Sequence, residues 1–300
     1  SQYESMMFSR GCPFLCYYCS RPSISRLVRY RSVNNLIKEV EAVYSTSHGY
    51  IDFQDDTLTI RKQLVAEFCQ TVIDKKLKLH WRCNTRIDLV DDQLLSLMAR
   101  AGCDLIHFGI EAGNERIRRD VVKKGNFTNE QIYQTIKLCK KNGIKFAGYF
   151  IIGHPGEGKR ELTQTKNLIL NSGIDLVGLS IPTPFPGSKL YEMARDEQII
   201  NENIIDRFAR KEMGEGYAGN FPVFTTKKVK REYIYTLMKE INRKFYLKPS
   251  IMLNKLKDDL LSPSRLKQDF MDLISLISRG MSSRKPYKKP GQDEKYNLAT

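Results

Sequence analysis

Short apolar segments alternate with longer amphipathic segments over the first two hundred residues. The short segments are rich in aromatic and β-branched residues, which favours strands, and the longer ones repeat apolar residues at helical spacing. The predicted strands are Ser5–Phe8, Tyr50–Phe53, Leu79–Asn84, Asp104–Ile110, Lys145–Ile152 and Leu176–Ile181. The predicted helices between them are Ser32–Ser45, Arg61–Lys75, Asp91–Arg100, Thr128–Lys141 and Lys159–Asn171.

Local signals support this alternation. Gly102, Gly143 and Gly173 each follow a predicted helix and precede a strand, where a left-handed C-terminal cap is needed. Thr128 and Gln131 have the spacing of a capping box. Repeated strand–helix–strand order implies parallel strands with right-handed crossovers. Because six strands are too few for a closed eight-stranded barrel, the pattern predicts an α/β fold built as an open barrel of six β/α units.

The pattern changes near residue 200, which predicts three regions. Residues 1–200 form the barrel. Residues 201–280 form an irregular, glycine-containing segment followed by a basic, amphipathic helical extension. Residues 281–300 are predicted to be a disordered tail, because runs such as Ser-Arg-Lys-Pro and Lys-Lys-Pro-Gly dominate them.

Composition adds information about partners. The hydrophobic fraction of 41% is typical of a globular protein, and no apolar run approaches the roughly 18 residues needed to span a bilayer. The formal net charge is +15, which favours solubility or a nucleic-acid, membrane-surface or acidic partner. Residues 227–290 carry 17 Lys and Arg against 6 Asp and Glu. We interpret these basic helices as a solvated surface, with peripheral membrane contact as the second interpretation.

The seven cysteines do not form a disulfide pattern. Three lie within eight residues of one another, and the other four are scattered: Cys69, Cys83, Cys103 and Cys139. No secretory signal is visible at the start of the sequence. This distribution is typical of a reduced, cytoplasmic protein with a metal site.

The clustered cysteines, Cys12, Cys16 and Cys19, have C-x3-C-x2-C spacing directly after the first predicted strand. Three thiolates on one short loop can hold a [4Fe–4S] cluster and leave one iron open, as a catalytic metal requires. S-adenosylmethionine (SAM) can chelate that iron through its amino and carboxylate groups, a recognised route to radical catalysis. The alternative is a structural zinc loop, for which the closest histidine is His48.

Together with this loop, the later strand-end motifs resemble those of the radical SAM superfamily. They include Gly109-Ile110-Glu111-Ala112-Gly113 and the segment from Gly148 to Gly153. The resemblance covers about residues 5–280 and is closest to the cobalamin-associated branch, whose domain is shared by the Elongator-protein-3, MiaB and NifB groups. It implies a partial (β/α)6 barrel with a C-terminal helical extension, a [4Fe–4S] cluster and bound SAM.

The resemblance also implies roles for residues that follow the strands. Asp55 and Asp56 occupy the place where the family binds the SAM amino group, although the pair also suits a helix N-cap. Asn84 and Arg86 lie near the family's SAM pocket, and Arg86 either binds the SAM carboxylate or forms a structural ion pair. Glu111 occupies a position that contacts the SAM amino group or ribose.

The last two strands are expected to contact the adenine of SAM. Ile151 or Ile152 packs on the adenine in similar enzymes, and Gly153 allows close approach of the backbone. Pro182 begins the loop after the last strand, where the family's backbone meets the adenine; the alternative is a proline-rich turn that opens a helix.

The predicted function is reductive cleavage of SAM to start radical chemistry on a small-molecule or lipid-like substrate. Methyl transfer, functionalisation of a C–H bond and ring formation are the reactions that the resemblance implies, with a reductant such as flavodoxin or ferredoxin. Cobalamin is expected only if a further domain lies upstream, because eleven residues precede Cys12. The alternative is an RNA-modifying radical SAM enzyme, motivated by the net charge. No RNA-binding domain is recognisable, so nucleic acid is not the expected partner.

Overall fold

A computed structural model describes residues 3–20, 26–47, 49–198 and 228–253. The strands are β1 (Glu4–Met6), β2 (Ser9–Arg10), β3 (Arg29–Tyr30), β4 (Tyr50–Phe53), β5 (His80–Thr85), β6 (Cys103–Glu111), β7 (Lys145–Ile151) and β8 (Leu176–Ser180). The helices are α1 (Val33–Ser47), α2 (Lys62–Asp74), α3 (Asp92–Arg100), α4 (Asn129–Lys141), α5 (Lys159–Asn171), α6 (Lys189–Asp196) and α7 (Arg231–Tyr246). A π-helical turn, Ile117–Val121, follows β6.

Six strands form one parallel sheet in the order β1-β4-β5-β6-β7-β8. The pairing runs from Glu4 opposite Ile51 at one edge to Ile151 opposite Ser180 at the other. Within the described residues, β1 and β8 do not pair with each other, so the sheet remains open. The predicted α/β fold with an open six-unit barrel is confirmed.

The first strand differs from its prediction. We expected Ser5–Phe8, but β1 ends at Met6 and the chain turns into β2, which pairs antiparallel with β3. The cause is Asp55, whose carboxylate accepts hydrogen bonds from the backbone N–H groups of Phe8 (2.8 Å) and Ser9. These N–H groups are therefore held outside the parallel sheet, and the cysteine loop begins after β2.

The remaining predicted elements lie within two residues of their expected bounds. Gly102, Gly143 and Gly173 adopt φ values of +92°, +71° and +81°, as left-handed helix caps require. Thr128 and Gln131 form the predicted capping box at the start of α4. Helix α6 agrees with the alternative interpretation of the Pro182 loop, a proline-rich turn that opens a helix; it begins where the Ser188 side chain accepts a hydrogen bond from the backbone N–H of Tyr191.

The core lies between the outer face of the sheet and the helices. Phe8, Phe53, Phe68 and Trp81 pack edge to face, with ring centroids 5.4–6.3 Å apart. Edge-to-face pairs add stability beyond the burial of their surface. The indole N–H of Trp81 donates to the carbonyl of Ala101 (2.9 Å), so its polar group is satisfied in the core.

The chain divides into two compact units. The first contains residues 1–204 and 222–245, and the second contains residues 205–221 and 246–300. Helix α7 therefore belongs, up to Phe245, to the same unit as the barrel. Within this unit, Lys166 on α5 forms an ion pair with Glu240 on α7 (3.4 Å). The expected disordered tail and the expected irregular segment up to residue 227 lie outside the described residues.

No helix among the described residues has both the length and the apolar character that a bilayer crossing requires.

One buried cation stabilises the connection between β6 and α4. Arg118 is fully buried and donates hydrogen bonds to the carbonyls of Ala112 (2.7 Å) and Phe127 (3.1 Å) and to the Asn129 side chain (2.8 Å). Burial lowers the pKa of Arg118 to about 10. The arginine therefore spans the loop that leads away from Glu111.

Replacing this cation should destabilise the fold. We expect Arg118→Met to lower the free energy of unfolding by about 3 kcal/mol, because the two carbonyls lose their donors inside the protein. Urea denaturation would measure the change. The adjacent Arg119 is an exposed control, and Arg119→Met should stay within about 0.5 kcal/mol of the unmodified protein. Similar losses for both variants would contradict the assignment.

Candidate functional site

The cysteine loop is attached to three other segments of the barrel. The thiol of Cys16 is buried, whereas Cys12 and Cys19 are half-buried, and all three are free thiols. Between them, the backbone N–H of Tyr17 donates to the carbonyl of Val122 (3.2 Å), and the carbonyl of Tyr17 accepts from the N–H of Leu190 (2.9 Å). The loop thus spans the turn after β6 and the start of α6.

Tyr17 also ties the loop to the end of β7. Its hydroxyl lies 2.8 Å from Nδ1 of His154, and Nε2 of His154 lies 3.2 Å from the carbonyl oxygen of Glu111. A carbonyl only accepts, so Nε2 carries the proton and Nδ1 accepts from the tyrosine. Burial lowers the pKa of His154 to about 4, which keeps the ring neutral in this bridge.

Glu111 lies at the centre of the site. Its Oε1 accepts hydrogen bonds from the hydroxyl of Tyr18 (2.7 Å) and from the ammonium of Lys124 (2.9 Å). Its backbone has a φ of +71°, an unfavourable region for a residue other than glycine. Such strain costs on the order of 1–3 kcal/mol and is found at functional sites. Tyr18 therefore connects the cysteine loop to the carboxylate of Glu111, a residue with a strained backbone at the end of β6.

Two cations offset the negative charge near Cys16. Burial raises the pKa of Cys16, while the charges of Lys124 and Arg86 act in the opposite direction. Burial by itself would lower the pKa of Lys124, but the charges of Glu111 and Cys16 outweigh it and raise that pKa. The ammonium of Lys124 is therefore retained at neutral pH, beside the second cysteine.

Arg86 is buried in an ion pair, and it also faces the cysteine loop. Its Nε and one Nη donate to the carboxylate of Asp88 (2.9 and 2.6 Å), and the same Nη donates to the carbonyl of Lys124. Its guanidinium lies 3.8 Å from the ring centroid of Phe14. The other Nη, Nη1, is buried without a hydrogen-bond partner. Arg86 is thus structurally paired and still has a donor to offer.

The acidic pair after β4 divides into a buried and an exposed residue. Asp55 is buried, and its oxygens accept from Phe8 and from both the N–H and the hydroxyl of Ser9. Asp56 is exposed at the same loop. Asn84 on β5 donates to the carbonyl of Asp55 (3.3 Å). The carboxylate of Asp55 therefore supports the β1–β2 turn, and Asp56 is the member of the pair that faces solvent.

The predicted adenine contacts lie at the last two strands. Ile151, Ile152 and Pro182 are buried, and Gly153 has a φ of +102°. A Cβ at Gly153 would lie 2.8 Å from Ile234 of α7, so this turn also needs a glycine for packing. Oε2 of Glu157 accepts from the N–H groups of Gly153 and His154, both at 2.8 Å.

The chemistry of the donor set fits an iron–sulfur cluster. Three free cysteine thiols share one loop, and iron–sulfur clusters are held by cysteine thiolates. The charges of Lys124 and Arg86 act on Cys16, the buried member of the three, and offset the negative charge of a thiolate there. Among the described residues, no three His, Cys, Asp or Glu side chains are gathered closely enough to hold a single metal ion.

Several residues of the site were not found from the sequence. Lys124 and Glu157 were not assigned roles, and the aromatic residues between the cysteines were expected only to shield a cluster from water, although the structure connects Lys124, Glu157, Tyr17 and Tyr18 to the cysteine loop or to Glu111 and His154. The position of Tyr17 and Tyr18 between the second and third cysteines was the sequence signal that could have indicated a role in the site. Nothing in the local sequence distinguishes Lys124 from Lys123, because only the turn after β6 directs one of them inward.

The buried pair His154 and Glu157 predicts a specific pH dependence. Burial raises the pKa of Glu157 from 4.5 to about 7 and lowers that of His154 from 6.5 to about 4. Between pH 4.5 and 6.5, the unfolded chain carries a proton on histidine and the folded chain carries one on glutamate. Each state therefore binds one proton in this range, and these two groups together leave the free energy of unfolding independent of pH.

Glu157→Gln should remove this cancellation. In this variant only His154 still binds protons differently in the two states, and the unfolded state binds one more proton than the folded state. The free energy of unfolding therefore falls by up to about 1.4 kcal/mol per pH unit as the pH decreases from 6.5. Urea denaturation at pH 6.5 and pH 5.0 would measure this slope relative to the unmodified protein. The exposed Glu130→Gln serves as control, and a Glu157→Gln slope equal to that of the control would contradict the assignment.

Comparison with known families agrees with this geometry. The family model of the radical SAM superfamily matches residues 6–169, which include the cysteine loop and the ends of β4 to β7. An uncharacterized methyltransferase of Pyrococcus horikoshii is 31% identical over 250 residues, covering 83% of this chain and 52% of the relative. The anaerobic magnesium-protoporphyrin IX monomethyl ester cyclase of Rubrivivax gelatinosus is 30% identical over 253 residues, covering 80% and 45%.

Solved structures show the same fold. The radical SAM methyltransferase TsrM of Kitasatospora setae, with cobalamin and a [4Fe–4S] cluster bound, aligns with a TM-score of 0.69 at 15% identity, over 83% of this chain and 53% of that one. The cobalamin-dependent radical enzyme OxsB aligns with a TM-score of 0.61 at 16% identity, over 80% and 40%. The chain spans about half the length of the curated relatives it matches. From the family match and the arrangement of its site, the chain belongs to the radical SAM superfamily.

Proposed function

We propose that this chain binds a [4Fe–4S] cluster through Cys12, Cys16 and Cys19 and cleaves SAM to start radical chemistry on a small-molecule or lipid-like substrate. When bound, the cluster supplies the electron that breaks a carbon–sulfur bond of SAM. The observation that carries the proposal is the convergence of Cys16, Lys124 and Glu111 at the carboxyl ends of the strands, where ligands of such sheets bind.

The two cations provide the electrostatic part of this proposal. Lys124 and Arg86 both act on Cys16, so they offset the charge of its thiolate. The free Nη1 donor of Arg86 suits the SAM carboxylate, because charge-assisted hydrogen bonds to carboxylates are strong. Glu111 suits the SAM amino group or ribose, and its position is held by Tyr18 and Lys124. Asp56 is the better candidate of the acidic pair for a SAM contact, because Asp55 is occupied within the protein.

The adenine side of the proposal rests on the turn after β7. Ile151, Ile152 and Pro182 supply apolar surface, and Gly153 is held by Glu157. Asn84 supports the loop after β4 through its bond to the carbonyl of Asp55. These residues bind and orient SAM in the proposal, and the catalytic group that acts on the substrate is not assigned.

Methyl transfer and ring formation are the reactions that the relatives favour. The relatives described above are a methyltransferase and a cyclase by name, and two structural neighbours contain cobalamin. We therefore propose cobalamin-dependent methyl transfer for any longer protein in which a cobalamin domain precedes this chain. A reductant such as flavodoxin or ferredoxin would supply the electron, and the proposed location is the cytoplasm, with peripheral membrane contact as an option. The relatives do not favour RNA modification.

The three cysteines should each be required for iron. We expect Cys12→Ala, Cys16→Ala and Cys19→Ala to lose most of the about four irons that anaerobic reconstitution supplies per chain, because a cubane cluster is held through its thiolate ligands. Iron analysis and the visible absorbance of the cluster would measure this loss. Cys69→Ala removes a buried thiol away from the loop and should retain iron. Iron binding by the unmodified protein without cleavage of SAM to 5′-deoxyadenosine or S-adenosylhomocysteine would contradict the proposed function.

The two neighbouring lysines offer a matched test of the site. Lys124 is buried beside Glu111, whereas Lys123 is exposed. We expect Lys124→Met to raise the Kd for SAM about 10-fold, because one cation is lost and Glu111 loses its ion pair. Lys123→Met should change the Kd less than about 2-fold. Titration calorimetry on iron-loaded protein would measure both, and equal Kd values for the two variants would contradict the role of Lys124.

A further inference from the structure

The inner face of the sheet is lined by polar and aromatic side chains. In strand register, Asp52 lies opposite Arg82, Asn84 opposite His107, and Gly109 opposite Tyr149. In closed barrels of this type, branched aliphatic residues fill the interior. Here most large apolar residues of the strands alternate with this face and are buried, whereas the inner face leaves Tyr149 44% exposed and Leu176 39% exposed.

Tyr149 and His107 form a flat surface on this face. Their rings are stacked, with centroids 5.4 Å apart and planes inclined by 23°. Gly178 of β8 lies opposite Tyr149, and a Cβ at Gly178 would lie only 2.2 Å from Cδ1 of that ring. The absence of a side chain at Gly178 therefore lets the tyrosine ring lie against β8. We call Tyr149 and His107 the ring platform.

The ring platform adjoins the proposed cofactor site. Gly109 is the register partner of Tyr149 on β6. A Cβ on Gly109 would lie 2.5 Å from Nζ of Lys124 and 2.6 Å from Oε1 of Glu111. The platform is thus next to the Lys124–Glu111 ion pair, on the inner side of the barrel where a substrate can approach the cluster site.

Two charged residues of this face are paired with each other. Arg82 donates to Asp52 (2.7 Å), and its guanidinium lies 4.3 Å from the ring centroid of Tyr3. Burial and the nearby charge of Arg82 lower the pKa of His107, so its ring is neutral at neutral pH. The exposed part of the platform is therefore an uncharged π surface, which suits offset stacking with a flat, conjugated ring better than contact with an anionic group.

We propose that the ring platform binds a planar, conjugated ring of the substrate. This inference rests on the proposed function, because it places that ring beside the site where radical chemistry begins. Stacking on Tyr149 orients the ring across β7 and β8, and Lys124 and Glu111 lie at its edge. The substrate class is accordingly an aromatic or extended conjugated molecule.

The test uses the reconstituted 300-residue protein with indole and protoporphyrin IX as ring probes and decanoate as an aliphatic probe. Equilibrium dialysis would give each Kd. We expect Tyr149→Ala to weaken ring-probe binding about 10-fold, and Tyr149→Phe to stay within about 2-fold, because the π surface remains. Gly178→Ala should also weaken ring binding, since its Cβ displaces the tyrosine ring. Tyr133→Ala, on α4, is the control and should change nothing.

Several outcomes would overturn the inference. The first is that the ring probes do not bind the unmodified protein. The second is that they bind Tyr149→Ala as tightly as the unmodified protein. The third is that Tyr149→Ala weakens the binding of decanoate as much as that of the ring probes. A loss of SAM affinity in Tyr149→Ala without loss of ring-probe affinity would assign the platform to the adenine of SAM and also contradict the inference. Iron content and SAM cleavage are measured separately on the unmodified protein, so failure of the proposed function is distinguished from failure of the platform.

Discussion

The attachment of the cysteine loop to the ends of β6 and β7 is the constraint on which the site depends. Tyr17 reaches His154, and Tyr18 reaches Glu111, so two adjacent residues between the second and third cysteines bind two different strands. A loop of this length would otherwise sample many conformations, and holding it requires that these contacts outweigh its conformational entropy. The tautomer of His154 is fixed by its two hydrogen bonds, one to this loop and one to the carbonyl of Glu111.

Charge balance is the second organising feature. The charges of Glu111, Lys124 and Arg86 lie close enough to Cys16 to act on the pKa of its thiol, and those of Glu111 and Cys16 raise the pKa of Lys124, although burial acts against each charged form. Buried charges persist only when they are paired. The arrangement leaves Nη1 of Arg86 as a donor without a partner in the protein, which is the feature expected of a site that awaits an anionic ligand.

The fold was more predictable than the site. Glycines at helix ends and the alternation of apolar segments located five strands and five helices, because these signals are local. The end of β1 was misplaced because Asp55, 47 residues away from Phe8, removes two N–H groups from the sheet. Lys124 and the ring platform were missed for a similar reason. The sequence does not distinguish the buried Lys124 from its exposed neighbour Lys123, and the contacts of Tyr149 are made by His107 and Gly178 on adjacent strands.

The sequence by itself determined the class of the molecule, since the spacing of Cys12, Cys16 and Cys19 and the order of the strand-end motifs are properties of the chain alone. It also determined the parallel, open sheet through the number and type of its segments. Only the tertiary structure decided which side chains meet. In the structure, Asp55 accepts hydrogen bonds that support the β1–β2 turn. Arg86 is paired with Asp88 and keeps one donor without a partner. Lys124 is the cation that acts on Cys16. The physical reason is that hydrogen bonds and ion pairs between distant residues depend on strand register and loop direction, and neither is encoded in any short stretch of sequence.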